Sequence, residues 1–274
     1  MKSKFSLSGV GFTLPKLFSK DILLPIRARE GRRMLVEEKE LSSGLVAGLE
    51  SWAASDLKGR ASALYKVHMS ADVLKIENVT LKSVSVDADI TISGAGGLDT
   101  GSEAINTWYS IWVIYNPSLE EVNALLSISP DNPTMPANYT LKRRIGYVRN
   151  NADGNFYKFN QSNNLVLIEG AHSMNFTSGT DAWQTVNAVA TIAPSARVAL
   201  VLMRLIDSTS GIAYMECRPD ANWPSTMVAE VGVVNEIGTN EVEIVMTASR
   251  TFQVRMSTTG GNFYVRRKGW IDQI

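Results

Sequence analysis

The chain has 274 residues, with Lys+Arg and Asp+Glu both at 27, so its formal net charge is zero. That balance leaves no electrostatic footprint for nucleic acid or a membrane surface. A hydrophobic content of 45% suffices for a core, and a single cysteine, Cys217, excludes an intrachain disulfide framework.

The length fits one large β domain, or one domain with a sizeable extension. No apolar run approaches the roughly 18 residues of a membrane span. Lys2 and Lys4 are not followed by the apolar stretch of a signal peptide, so no secretory leader is expected. Four Asn-x-Ser/Thr triplets, at Asn78, Asn138, Asn160 and Asn175, therefore read as turn and strand positions rather than glycan sites.

Residues 1–33 differ from the rest. They carry eight basic residues against Asp21 and Glu30. Apolar residues Phe5, Leu7, Phe12, Leu14, Leu17 and Phe18 alternate with glycines and prolines that interrupt any long helix. Two readings stay open. One is an assembly arm that orders against a neighbouring subunit, with Phe5, Phe12, Leu14, Leu17 and Phe18 as anchors and Arg27, Arg29, Arg32 and Arg33 as charge. The other is a strand-and-loop segment covering its own domain.

Residues 34–66 hold the one candidate helix. Leu41, Leu45, Leu49, Trp52, Leu57, Ala61 and Leu64 recur near one helical face, with Ser42 or Ser43 as a cap. A domain boundary is expected at 66/67.

From residue 67 the period becomes two. Val73 to Leu81 and Val84 to Ile92 read as successive strands, the second alternating almost strictly. Gly94 to Gly97 breaks the pattern. Trp108 to Tyr115 is an aromatic, β-branched strand ended by Asn116-Pro117, apolar on both faces and so expected to be covered on both. Residues 129–138 contain three prolines and form a loop. Ile145–Val148 and Phe156–Phe159 read as a hairpin across residues 151–154.

Further strands are expected at 165–168, 185–192, 197–206, 212–218, 227–234, 241–248, 252–257 and 263–268, with turns at Ser210-Gly211, Gly238-Thr239-Asn240 and Gly260-Gly261-Asn262. Many short strands at this spacing predict a mainly β fold. Its expected form is an antiparallel, jelly-roll-like β-sandwich over 67–274, as one domain or two packed sub-domains, preceded by the arm.

Chemical motifs are few. Leu98-Asp99-Thr100-Gly101-Ser102 matches the local signature of aspartic proteases. That chemistry needs a second carboxylate in reach, and no second Asp-Thr-Gly or Asp-Ser-Gly occurs, so an ordinary turn is the stronger reading. His68 and His172 lack metal-ligand spacing, and Cys217 sits in an apolar run, which suits an inert thiol. No phosphate-binding glycine loop is present. Lys142-Arg143-Arg144 with Tyr147 and Arg149, and Phe263 to Lys268, mix basic and aromatic residues. Such patches suit phosphate or base binding, but exposed strand faces are favoured.

One longer pattern runs through the middle of the chain. Gly97-Leu98-Asp99-Thr100-Gly101-Ser102 leads to Asn106-Thr107-Trp108-Tyr109, then Ser127-Ile128-Ser129, Pro133-Thr134-Met135-Pro136, Tyr139, Arg143-Arg144-Ile145-Gly146 and Phe156-Tyr157-Lys158-Phe159. It resembles a segment of tailed-bacteriophage virion structural proteins of the tail-fibre or appendage type, over about residues 73–160. The resemblance implies a virion location, no shared catalytic residues, and partners that are copies of itself and other virion proteins. The expectation is a structural virion component without enzymatic activity or cofactor, placed as a tail appendage or adaptor. Head decoration, or a receptor- or glycan-binding module stacking sugars on exposed aromatics, are the alternatives, and an aspartic-type peptidase is a more distant one.

Overall fold

The computed structural model describes residues 54–178, 181–206, 213–231, 237–257 and 262–274. Every regular element among these residues is a strand, as the sequence predicts for a mainly β fold. In chain order they are β1 (Ala54–Ser55), β2 (Lys58–Ala63), β3 (Lys66–Ile76), β4 (Val79–Asp89), β5 (Gly97–Leu98), β6 (Trp108–Asn116), β7 (Glu121–Ser127), β8 (Leu141–Arg149) and β9 (Phe159–Ser162). There follow β10 (Leu165–Ser178), β11 (Gln184–Asn187), β12 (Val198–Ile206), β13 (Ala213–Arg218), β14 (Thr226–Val231), β15 (Ile237–Val245), β16 (Thr251–Met256) and β17 (Asn262–Ile271).

They form three sheets. In the largest, β4 pairs one edge of β3 from Lys66↔Asp89 to Ile76↔Val79. β1 and β2 follow each other along the opposite edge, with Ala54↔Leu74 and Lys58↔Ser70. Asp56, at φ 49, breaks the run between them. β2 then pairs β9, and the sheet continues through β10, β17 and β12 to β15. The second sheet is β11-β16-β13-β14 and the third is β5-β7-β6-β8. Only β5 and β7 pair in parallel among the described strands; the other pairs are antiparallel.

Apolar alternation builds one main core. β12 buries Ala199, Val201, Met203 and Leu205 on one face, and β16 buries Phe252, Val254 and Met256. Residues from all three sheets join this cluster, among them Val67, Tyr109, Val186 and Trp270. Fully burying a side chain of valine or leucine size contributes about 1.5–3 kcal/mol, so these inward rows dominate the fold's stability.

Several expectations are corrected. The helix over 41–64 does not extend through its described part: residues 54–63 are β1 and β2, integral to the largest sheet. The β unit thus reaches upstream of residue 67. The turn between the first two long strands falls at Glu77-Asn78, not after Leu81, with Glu77 at φ 52. The 151–154 turn does not close a hairpin. Only an isolated bridge, Asn150↔Phe156, forms, and β9 leaves β8 to join β10 and β2 in the largest sheet. The strand expected over 185–192 stops at Asn187. Gly238-Thr239-Asn240 is not a turn but lies within β15, paired with β12. The turns expected at Ser210-Gly211 and Gly260-Gly261 lie outside the described residues, as do residues 1–33. The Asn-x-Ser/Thr positions fall as read: Asn78 and Asn138 in turns, Asn160 and Asn175 in strands.

Candidate functional site

The residues that carry the phage-like pattern are dispersed over some sixty positions and converge around the third sheet. Asp99 follows β5 directly. Its N–H donates to the Leu126 carbonyl at 2.8 Å, extending the parallel ladder by one bond. Its Oδ1 accepts from the Thr100 amide at 2.8 Å, and Gly101 takes φ 75, the left-handed conformation expected of this glycine turn. Oδ2 accepts from the Ser127 hydroxyl at 2.7 Å and the Thr134 amide at 2.9 Å. Ser127 Oγ in turn accepts the Ser129 amide at 3.0 Å, and Ser129 Oγ the Asn132 amide at 3.0 Å. The Ser110 hydroxyl lies 2.9 and 2.7 Å from the carbonyls of Ser127 and Ser129 and accepts from Trp112 Nε1 at 2.7 Å.

This network ties the proline loop of residues 129–138 across the strand ends. The loop then covers the outer face of the third sheet. Trp112, Ile114, Leu125 and Tyr139 form a second small core there, with Met135 and Ala95 packed against it. The expectation that β6 is covered on both faces holds. The outer cover is the chain's own proline loop, through Met135 and the adjoining Tyr139.

Other parts of the pattern are fixed in the same way. Tyr109 is fully buried, and its hydroxyl accepts from the Ala104 amide at 2.7 Å; burial raises its pKa. Asn150, also buried, donates to Glu103 Oε1 at 2.7 Å. Trp108 stacks edge-on to Trp270 at 5.5 Å and donates from Nε1 to the Val189 carbonyl at 3.0 Å. Phe156 packs against Tyr109 at 6.5 Å.

The arginine-rich strands differ from the exposed faces expected of them. Arg143 donates to the Lys75 carbonyl at 2.9 Å, and Arg144 to the Gln273 carbonyl at 2.7 Å and the Tyr147 hydroxyl at 3.0 Å. These guanidiniums bridge the third sheet to other segments. On β17 the period of two turns Arg266 and Lys268 outward and buries Arg267 with Phe263 and Val265.

Among the described residues no partner of Asp99 is a carboxylate: the groups within hydrogen-bond reach are one hydroxyl and two backbone amides. The arrangement holds a turn and a loop and offers no paired acids to activate water. His68 Nδ1 sits 3.0 Å from Asp87 Oδ1, its cross-strand neighbour. Cys217 is buried, and burial pushes its thiol up to about 11, as suits an unreactive side chain. Among the described residues no group of three or more His, Cys, Asp or Glu could hold a metal ion, and no helix is long and apolar enough to cross a membrane.

A second feature is a surface that the sequence did not single out. The outer face of β10, β17, β12 and β15 carries Leu165, Leu167, Leu200 and Ile271 around a groove of about 540 Å³. Leu165 is 39% exposed, Leu167 42% and, further along β15, Val245 46%. Glu241, Glu243 and Lys268 rim the groove. Lys268 is paired with Glu241, and Glu243 has no ion-pair partner among the described residues. The signal was present in the alternate residues Val198, Leu200 and Leu202 of β12, which are apolar on the outward side as well.

Phe5, Phe12, Leu14, Leu17, Phe18, Arg27, Arg29, Arg32 and Arg33 lie outside the described residues. No protein-family model matches the chain, and no curated protein matches it either.

Proposed function

We propose that this protein is a non-enzymatic structural component of a bacteriophage virion, a tail appendage or adaptor that works by subunit–subunit contacts. The observation that carries this reading is the convergence of the quoted pattern. Asp99, Ser127, Ser129, Thr134 and Tyr139, separated in sequence, build one loop-and-sheet unit whose polar groups bond to one another. Residues that resemble a virion segment in sequence thus depend on one another in space. The β-sandwich is part of the same reading, supported by the main core, which draws on all three sheets.

Assembly in this proposal uses the arm of residues 1–33 from a neighbouring copy. Its occupied surface is the outer groove lined by Leu165, Leu167 and Leu200. Apolar anchors such as Phe5 and Phe12 suit that lining. The arm's excess of basic residues suits a rim with an unpaired Glu243. The partners are therefore copies of this chain and other virion proteins, with a host surface receptor as a further contact of an appendage.

Mass spectrometry of purified particles, with immunogold electron microscopy, tests the assignment. The expected result is a stoichiometric particle protein labelled at the tail. Labelling over the capsid would favour head decoration, and absence from particles would overturn the reading. Binding of the free protein to host surface polysaccharide without particle incorporation would favour the glycan-binding alternative.

A further inference from the structure

β15 ends the largest sheet. It pairs β12 along one edge at nine consecutive positions, from Val198↔Val245 to Ile206↔Ile237, without a register shift. No strand among the described residues pairs its other edge. The parity of the ladder fixes what that edge presents. Met246 N–H donates to the Arg197 carbonyl on the β12 side at 2.8 Å, so the even-numbered amides face β12. The amides and carbonyls of Thr239, Glu241, Glu243 and Val245 point the other way. Glu241 N–H accordingly bonds a side chain, Asn240 Oδ1 at 2.9 Å. All four residues are exposed.

Proteins blunt such edges with short strands, bulges, proline or lysine. The other long edge strands here follow that rule. β4 takes φ 52 at Ser83 beside Lys82, and β8 bulges at Ile145 opposite β6. β15 has no proline, lysine, bulge or positive φ. Its charges are Glu241 and Glu243. They disfavour pairing with the β15 of a second copy, because a symmetric pairing through the middle of the strand sets these glutamates against one another. A cationic segment meets no such repulsion, and the arm supplies one. Lys4-Phe5-Ser6-Leu7-Ser8 and Val10-Gly11-Phe12-Thr13-Leu14 alternate with a period of two, shifted at Gly9, and Pro15 ends the run. Lys2 and Lys4 complement the acidic edge.

We propose that the outer edge of β15, over residues 239–245, accepts an added strand from residues 4–14 of a neighbouring copy's arm. Main-chain hydrogen bonds then hold the two copies together, and the alternate apolar side chains set the register. The inference rests on the arm docking proposed above and specifies backbone pairing beside the groove as its means.

Sedimentation of the full chain at graded concentrations tests it. Glu243→Pro loses no intrachain ladder bond, because that N–H faces away from β12; the edge loses a donor and gains a ring in the incoming strand's path. Self-association should weaken about tenfold or more. Glu243→Gln keeps the donor and should weaken it only a few-fold, and less at high salt. A synthetic peptide of residues 2–14 should dissociate wild-type oligomers. N-methylating its amides at residues 10, 12 and 14, or instead at 11 and 13, should abolish this for one set only, since a strand uses alternate amides along one edge. Equal effects of the two sets, a peptide that leaves the oligomers intact, or unchanged self-association in Glu243→Pro would overturn strand addition. If Phe12→Asp dissociates the oligomer and Glu243→Pro does not, strand addition fails while the docking of the arm stands. A full chain that stays monomeric takes the arm reading down as well. Should Glu243→Pro fail to fold, the two methylated peptides on the wild type decide.

Discussion

The Ser127 hydroxyl donates to Asp99 Oδ2 at 2.7 Å, joining the residue after β5 to the last residue of β7. The same oxygen takes the Thr134 amide, so one carboxylate sets the start of the proline loop and its middle. An aspartate in a protease-like triplet is here a staple between backbone segments.

Replacing that staple has a graded outcome. In Asp99→Asn one amide hydrogen must face another donor, because Thr100 N–H and Thr134 N–H bond opposite oxygens. Both bonds are exposed to water, so stability should fall by only about 0.5–1.5 kcal/mol, the net contribution of a typical hydrogen bond. Asp99→Ala, which removes both acceptors, should lose more. Urea denaturation measures both. No peptidase activity is expected in the wild type; pepstatin-sensitive cleavage abolished by Asp99→Asn would overturn the staple reading.

Trp112 anchors the smaller core beneath the proline loop. It is 6% exposed, with Lys142 Nζ 5.7 Å from its ring centre. Truncating a buried tryptophan costs about 3–5 kcal/mol, so Trp112→Ala should lower the denaturation midpoint sharply. Since its partners Tyr139 and Met135 belong to the loop and its end, the variant should also raise protease cleavage between residues 129 and 138. A wild-type midpoint would show that the loop does not seal this face.

How far the sequence predicted this fold depends on where the alternation was carried by large side chains. β12, β13 and β16 show apolar residues at every second position and lie within one residue of their expected bounds. β4 instead starts at Val79, ahead of the expected Val84, because its alternation breaks at Lys82-Ser83, where Ser83 takes φ 52. β2 was missed because its inward positions are Gly59 and Ala61, which give no apolar signal. Gly59 is small for a reason: a Cβ there would lie 2.6 Å from Met69 Sδ. The leucines around it fit helical spacing by coincidence of the strands' ends. The false hairpin has a long-range cause. Gln161, 4% exposed, donates from Nε2 to the Ile145 carbonyl at 2.8 Å, so β9 meets β8 through a side chain and pairs elsewhere by its backbone. Of the polar network, Asp99 was visible as a turn residue, but its bond to Thr134 spans a loop whose path no local pattern encodes. Arg267 was legible in principle, since Phe263 and Val265 fix its side of the strand.

Asp272 gives a pH signature. It is 1% exposed; its Oδ1 accepts from the Ser195 hydroxyl and the Gln273 amide, and Oδ2 has no partner among the described residues. Burial raises its pKa above 3.8, outweighing those hydrogen bonds. The native state therefore holds more protons than the unfolded chain between 3.8 and the raised value, and stability from this group falls as pH rises through that window. Asp272→Asn keeps the Oδ1 acceptor and removes the titration. Its stability relative to wild type should climb from acid to neutral pH. A pH-independent difference, or one of opposite slope, would refute the assignment.

The arm and the groove are tested together. If the arm docks on a neighbouring copy, deleting residues 1–33 should leave the β unit folded. Thermal unfolding should change little, while oligomer mass by sedimentation and incorporation into particles should fall. Leu167→Glu places a charge in the groove that Leu165 and Leu200 also line, and should reproduce the assembly loss in the full-length chain. It should do so without unfolding, since Leu167 is 42% exposed. The double change should then be no worse than either alone, because both remove the same contact. If the deletion unfolds the domain, the segment covers its own chain. If Leu167→Glu assembles normally while the deletion does not, the arm docks on a surface other than this groove.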